Sequence, residues 1–182
     1  MNFKGEQHPG VKMPTGDSLG FRLNHTMLRV KDPERSLAFY TRVFGMSVLR
    51  RLDFEELGFS LYFLARLEEE EQVPEDKGER TVWTFSQKGL LELTHNWGTE
   101  SQADFAYHDG NAEPQGFGHI CFSVPNLDAA EAWFEANDVE FIKRSGQGKM
   151  KDVVFVKDAD GYWIEVVQAD RLAGLGETPL DK

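Results

Sequence analysis

The sequence carries a single cysteine, Cys121, in 182 residues. A lone thiol closes no internal disulfide, so nothing covalent calls for an oxidising compartment, and a cytoplasmic setting is expected. Long apolar runs are missing too. No stretch reaches the roughly 20 consecutive apolar residues of a bilayer-spanning helix. The opening MNFKGEQHPGVKMPTGDSLG has no apolar segment behind a basic one, so neither a membrane span nor an export signal is expected. Basic charge is also scarce: 20 Lys and Arg stand against 31 Asp and Glu, a formal net charge of −11. Nucleic acids and anionic lipid are held by clustered Lys and Arg, so neither is an expected partner. That leaves a small molecule, and an anionic one needs a local basic patch.

What is present suffices for one substantial domain or two small modules sharing a core, with 40% hydrophobic residues. Residues 1–20 are polar and rich in Gly and Pro and read as an extended arm. Residues 21–30 suit a strand. Asp32 and Pro33 then supply a helix cap and a first-turn proline whose missing N–H costs nothing there. Leu37, Tyr40, Val43 and Phe44 share one helical face, and Gly45 ends the helix. The apolar, aromatic and β-branched stretches 59–64, 81–85 and 90–94 predict three further strands, with the acidic run Glu68 to Glu71 as a solvated loop.

A second unit repeats this order. A strand at 119–124 precedes an Asn126 or Asp128 cap and a helix with Ala130, Trp133 and Phe134 inward, and strands follow near 139–142, 153–156 and 163–167. Both units read βαβββ. The spacing repeats as well: His25 precedes Phe39 and Tyr40 by 14 and 15 residues, as His119 precedes Trp133 and Phe134. Each unit ends in a strand with a carboxylate after a glycine, Gly89 to Glu92 and Gly161 to Glu165, which points to an internal duplication. The boundaries predicted are the arm 1–20, a first module 21–98, an insertion 99–114, a second module 115–170 and a tail 171–182.

Alternate residues of a strand share a face, so His25 lies with Leu23 and Met27, and Glu92 with Leu90 and Thr94. His119 and Glu165 hold the matching places in the second unit. Four ionisable groups on faces suited to burial need mutual compensation or a cation. A lone strand His or Glu is more often a hydrogen-bonded structural residue, but a pair occurring twice in register favours a divalent metal. Two imidazoles and two carboxylates suit zinc, nickel, cobalt or manganese. His95 falls three residues after Glu92 and so on the opposite face, as a structural or supporting residue. His8 and His108 read as exposed loop residues, and Cys121 as a buried, inert thiol beside His119. Lys143 to Lys151 holds four basic residues and no acid, and suits either an anion-binding flap or an ordinary exposed loop.

The blocks LNHTMLRVKDPERSLAFYTRVFGM, FSLYFLA, LLELTHNWGTE, GFGHICFSVPNL, GKMKDVVF and DADGYWIEV, spanning about residues 21–167, closely resemble those of glyoxalase I. The resemblance implies an α+β fold of two βαβββ modules of the vicinal oxygen chelate type. It further implies a lactoylglutathione lyase that isomerises the methylglyoxal–glutathione hemithioacetal to S-lactoylglutathione through a metal-stabilised enediolate. Residue by residue, it places His25, Glu92, His119 and Glu165 at the metal positions, with Glu165 as the principal base and Glu92 serving the opposite substrate face. Arg29, Asn96, Lys143, Lys149 and Met150 resemble glutathione-contacting positions, with Trp163 beside the metal. One divalent metal per site is implied, zinc ahead of nickel or cobalt, with glutathione as part of the substrate. A homodimer with its sites at the subunit interface is also implied. Gln115 stands where many relatives have Arg, which bears on glutathione affinity.

Two other classes fit these residues less well. A ring-cleaving dioxygenase of the same superfamily binds iron with two histidines and one carboxylate, and the fourth ligand counts against it. A metal-free binding module lacks acid-base residues, and both glutamates are present here.

Overall fold

The computed structural model of the chain describes residues 9–13 and 16–175. Asp32 accepts hydrogen bonds from the backbone N–H of Glu34 and Arg35, and Pro33 fills the first helical position, so the chain turns directly from strand to helix. This start is reproduced after the second histidine strand, where Asn126 accepts from the Ala129 N–H. The elements run β1(His25–Val30), α1(Pro33–Arg42), β2(Ser47–Phe54), β3(Phe59–Ala65), α2(Lys77–Ser86) and β4(Leu90–Asn96), then β5(His119–Ser123), α3(Leu127–Ala136), β6(Phe141–Lys143), β7(Val153–Lys157) and β8(Trp163–Val167).

They form two four-stranded sheets of identical topology, β1-β4-β3-β2 and β5-β8-β7-β6. In each, the outermost histidine-bearing strand pairs in parallel with the last strand of its module, and the other pairings are antiparallel. The expected α+β fold of two βαβββ modules is what the chain adopts.

One face of each sheet, together with its helix, builds a core shared by both modules. Leu28, Val30, Tyr40, Leu91 and Leu93 from the first half meet Phe134, Val154, Val156, Ile164 and Val166 from the second in one continuous cluster. Each such buried side chain stabilises the fold by about 1.5–3 kcal/mol, so neither module keeps its core without the other. Aromatic and polar contacts cross the junction. Phe44 packs at a tilt against Phe122 with centroids 4.3 Å apart, and the Trp133 indole N–H donates to the Val43 carbonyl at 3.0 Å. The Tyr40 hydroxyl donates to Asp158 at 2.7 Å, while Asp160 accepts from the Lys31 N–H and the Ser36 hydroxyl.

Three expectations change. Residues 81–85 are not a strand but the end of α2, because Asp76 caps the N–H groups of Gly78 and Glu79 and the turn then continues. The place of that strand is taken by β2, whose Arg50 and Arg51 lie on a sheet edge and hide its apolar pattern. Trp133 is half exposed rather than inward, its ring bridging the modules. Residues 16–20 of the expected arm form a short, exposed 3₁₀ turn. The rest of the arm apart from 9–13, His8 and the tail beyond 175 lie outside the described residues.

Candidate active site

The faces opposite the shared core carry the candidate ligands. In the first sheet His25 lies beside Leu90 and Glu92 beside Met27, and in the second His119 lies beside Trp163 and Glu165 beside Cys121. The histidine of each pair therefore sits opposite the residue two places before its glutamate, the same register in both modules. The side chains meet accordingly: His25 Nε2 is 2.9 Å from Glu92 Oε2, and His119 Nε2 is 3.3 Å from Glu165 Oε2.

The His25–Glu92 pair fits a divalent cation on chemical grounds. Asn24 donates its amide N–H groups to the carbonyls of Thr84 and Gln87 at the end of α2, which turns its Oδ1 onto His25 Nδ1 at 2.7 Å. An oxygen acceptor there requires the proton on Nδ1, so the neutral ring presents the Nε2 lone pair to a carboxylate oxygen. Two lone-pair donors 2.9 Å apart call for positive charge between them, as a proton or a metal ion. Phe63 and Phe85 pack edge-on around the imidazole at 5.4 and 6.3 Å. The Thr94 hydroxyl donates to the other oxygen of Glu92 at 2.9 Å. Phe155 packs against His119 in the same way at 5.3 Å.

Within one chain the four ligands are not brought together: no three His, Cys, Asp or Glu side chains gather into a metal-binding group among the described residues. The reason is architectural. Leu28, Leu91, Leu93, Ile164 and Val166 point into the common core, so the two ligand-bearing faces look away from it.

The remaining expected residues divide the same way. Arg29, exposed, shares the β1 face of His25, and Asn96, donating to the Tyr107 hydroxyl at 2.9 Å, shares the β4 face of Glu92. Trp163 shares the β8 face of Glu165 and packs on Phe155. Lys143 donates to the carbonyls of Met150 and Val153, and burial lowers its pKa while Glu131, Asp152 and Glu165 oppose that shift. Lys149 and Met150 are exposed in the following loop, whose Ser145 is tied to Glu131 on α3 through its hydroxyl and N–H. His95 is buried on the core side and bonded to Glu100 at 2.7 Å, the structural role expected of it. Cys121 is solvent-accessible, not buried, because β5 is an edge strand. The packing around its sulfur and the Glu165 carboxylate push the thiol up to about 11, so it is unreactive at neutral pH. Asn24 and Thr94 received no role from the sequence; the signal was a polar residue next to His25 and a hydroxyl two places after Glu92 on the same face.

Residues 22–166 match the model of the glyoxalase/bleomycin resistance protein/dioxygenase superfamily. The chain belongs to this superfamily. Among superfamily members it is 55% identical to a lactoylglutathione lyase of Pseudomonas aeruginosa over 97% of this chain and 99% of that protein. It is 57% identical to a lactoylglutathione lyase of Pseudomonas putida over 88% and 92%. The trypanothione-dependent glyoxalase I of Leishmania major superimposes with a TM-score of 0.63 at 30% identity, covering 86% of this chain and 93% of that one. The glyoxalase I resemblance of the sequence blocks therefore holds. No helix among the described residues is long and apolar enough to cross a membrane.

Proposed function

We propose that the chain is a lactoylglutathione lyase that isomerises the hemithioacetal of methylglyoxal and glutathione to S-lactoylglutathione. The observation that carries this reading is the His–Glu pair repeated in one register on two sheets, in a chain with full-length lyase relatives.

His25, Glu92, His119 and Glu165 would hold one divalent ion per site, zinc first, with nickel and cobalt as alternatives. When bound, the ion would supply Lewis-acid stabilisation of charge on the substrate oxygens. Because the two ligand faces turn away from a common core, a complete site requires a second copy, His25 and Glu92 of one protomer facing His119 and Glu165 of its partner. A two-fold dimer would build two such sites.

The reaction moves a proton from the thiol-bearing carbon to its neighbour, and one carboxylate serves as both acceptor and donor. Glu165, less enclosed than Glu92, is suited to that transfer, with Glu92 facing the opposite side of the substrate. Arg29, Asn96 and Lys143 would hold glutathione carboxylates by charge-assisted hydrogen bonds, with Lys149, Met150 and Trp163 lining the rest. With a net charge of −11 the chain as a whole repels an anionic substrate, so its capture would fall to the local cations Arg29, Lys143 and Lys149; a cytoplasmic location completes the reading.

The test is formation of S-lactoylglutathione from methylglyoxal and glutathione by metal-loaded protein, with oligomeric state read by sedimentation. Metal-loaded protein that yields no thioester would refute the activity, and an active monomer would refute the shared site.

A further inference from the structure

The two halves of the site are matched in register but not in their supports. Asn24 immediately precedes His25, and the residue preceding His119 is Gly118, with no side chain to direct a ring nitrogen. Thr94 follows Glu92 by two, on the same face, and the residue two after Glu165 is Val167, of the same shape but without a hydroxyl. Val167 is buried with Val153 and Phe155 on that face, so the position is filled by hydrocarbon.

We propose that Asn24 and Thr94 make the His25–Glu92 pair a fixed anchor, while Gly118 and Val167 leave the His119–Glu165 pair free to move during turnover. This rests on the lyase reading and deepens it, by separating the holding half from the reacting half.

The geometry agrees at each point. The Asn24 amide is oriented by two carbonyls of α2, so the His25 tautomer is set before any ligand arrives. Glu92 Oε1 is occupied by the Thr94 hydroxyl and Oε2 by His25, leaving little freedom to rotate. The first pair is 2.9 Å apart with side chains 29% and 10% exposed, the second 3.3 Å apart at 39% and 22%. A carboxylate that must collect a proton and deliver it to the adjacent carbon has to shift between two positions. A hydroxyl bonded to one of its oxygens opposes that shift, as Thr94 does for Glu92. Asn24 and Thr94 are thus positioning residues, and near Glu165 only the Cys121 thiol, a weak donor, stands in for the Thr94 hydroxyl, which leaves that carboxylate the freer of the two to shift.

The test is a reciprocal exchange of near-isosteric residues. Val167→Thr gives Glu165 the hydroxyl that Glu92 has, and it is expected to lower kcat about tenfold, the effect of one hydrogen bond to a charged group. KM should be unchanged, and zinc affinity, measured by competition with a chelator, should be unchanged or tighter. Thr94→Val is expected instead to weaken zinc affinity about 10–100-fold, with Thr94→Ser restoring it. In apoprotein, nitrogen NMR of His25 should show the proton on Nδ1, and Asn24→Leu should yield a mixture of tautomers while His119 is unaffected. Equal effects of Val167→Thr and Thr94→Val on kcat and on zinc affinity would overturn the asymmetry, as would a His25 tautomer indifferent to Asn24. A wild-type protein that takes up no divalent ion fails the lyase reading itself, while the apoprotein tautomer still decides the role of Asn24.

Discussion

Replacing Tyr40 by Phe removes one oxygen from a junction that joins the modules across 118 residues of chain. Tyr40 is wholly buried, and burial next to Asp158 raises its pKa well above the ordinary phenol range, so it is a neutral donor at every working pH. Its acceptor Asp158 is itself buried, and that burial pushes the carboxyl up to about 6 against the lowering effect of Tyr40 and of the Asp160 and Tyr162 N–H groups. At pH 7.5 the carboxylate is ionised. Losing its one side-chain donor then costs about 2 kcal/mol, within the range for hydrogen bonds to charged groups. At pH 5 the carboxyl is mostly protonated, and a neutral hydrogen bond is worth about 1 kcal/mol. The sign follows from which form is deprived: the variant raises the Asp158 pKa further, so its penalty grows with pH.

Urea unfolding of both proteins at pH 5 and 7.5, at one fixed protein concentration, measures the difference. With a slope of about 2 kcal/mol/M for a chain of this size, the midpoint should fall by about 1 M at pH 7.5 and about half that at pH 5. A Tyr40→Phe midpoint within 0.2 M of wild type at pH 7.5, or a larger loss at pH 5, would refute the argument.

Asp158 titrates in its own right. Its folded pKa of about 6 lies above the ordinary 3.8, so its contribution to stability is full below about pH 4 and is lost as pH rises through about 6. Asp158→Asn should flatten the dependence of melting temperature on pH across that window, and an unchanged slope would count against it. Glu165→Gln should keep the fold by circular dichroism and lose activity by about two orders of magnitude or more, with metal content measured alongside. Protein stripped by a chelator should be inactive and regain turnover with zinc, nickel or cobalt; full turnover without measurable metal would exclude the proposed centre. Gly110→Ala should lower stability by about 2 kcal/mol or more, because Gly110 has φ +87 and a Cβ there would lie 1.8 Å from the Phe117 carbonyl oxygen. A melting temperature within a degree of wild type would show that the 110–117 loop yields freely.

The duplication was legible because it rests on features local to each strand and helix entry. Asp32-Pro33 and Asn126 mark both helix starts, and the equal spacing from histidine to aromatic pair places both helices on their sheets. The error at 81–85 came from composition: Thr81, Val82, Trp83 and Phe85 favour strands, and the capping signal lay earlier, in Asp76 and Glu79. That misreading also concealed why Glu92 is buried. The ligand-bearing side of the first sheet packs under α2 through Trp83, Leu49, Phe63 and Leu90, so β4 is buried on both faces. The second sheet has only a smaller cluster around Val153, Phe155 and Val167 on that side.

Alternation along a strand tells which residues share a face but not what the face meets. His25, Leu23 and Met27 lie together on a face suited to burial by alternation alone, yet Leu23 and Met27 are exposed in the single chain, as is Arg29. On the outward face of the edge strand β1, His25 is met by Asn24 and Glu92 while Met27 and Arg29 stay exposed, and on β5 His119 and Cys121 meet Glu165 yet remain open to solvent. The apolar halves of both strands are fully employed in joining the modules, so no rearrangement within one chain can turn the ligand faces toward each other without opening the shared core. Under the proposed dimer the junction through Tyr40 and Asp158 therefore has a functional consequence as well. By fixing the angle between the modules it fixes how far apart one protomer presents its two half-sites, and loosening it should weaken metal binding at positions far from the substitution. Zinc affinity measured on Tyr40→Phe should fall together with its stability, and an unaltered affinity in a clearly destabilised protein would show that each half-site is positioned by its own sheet alone.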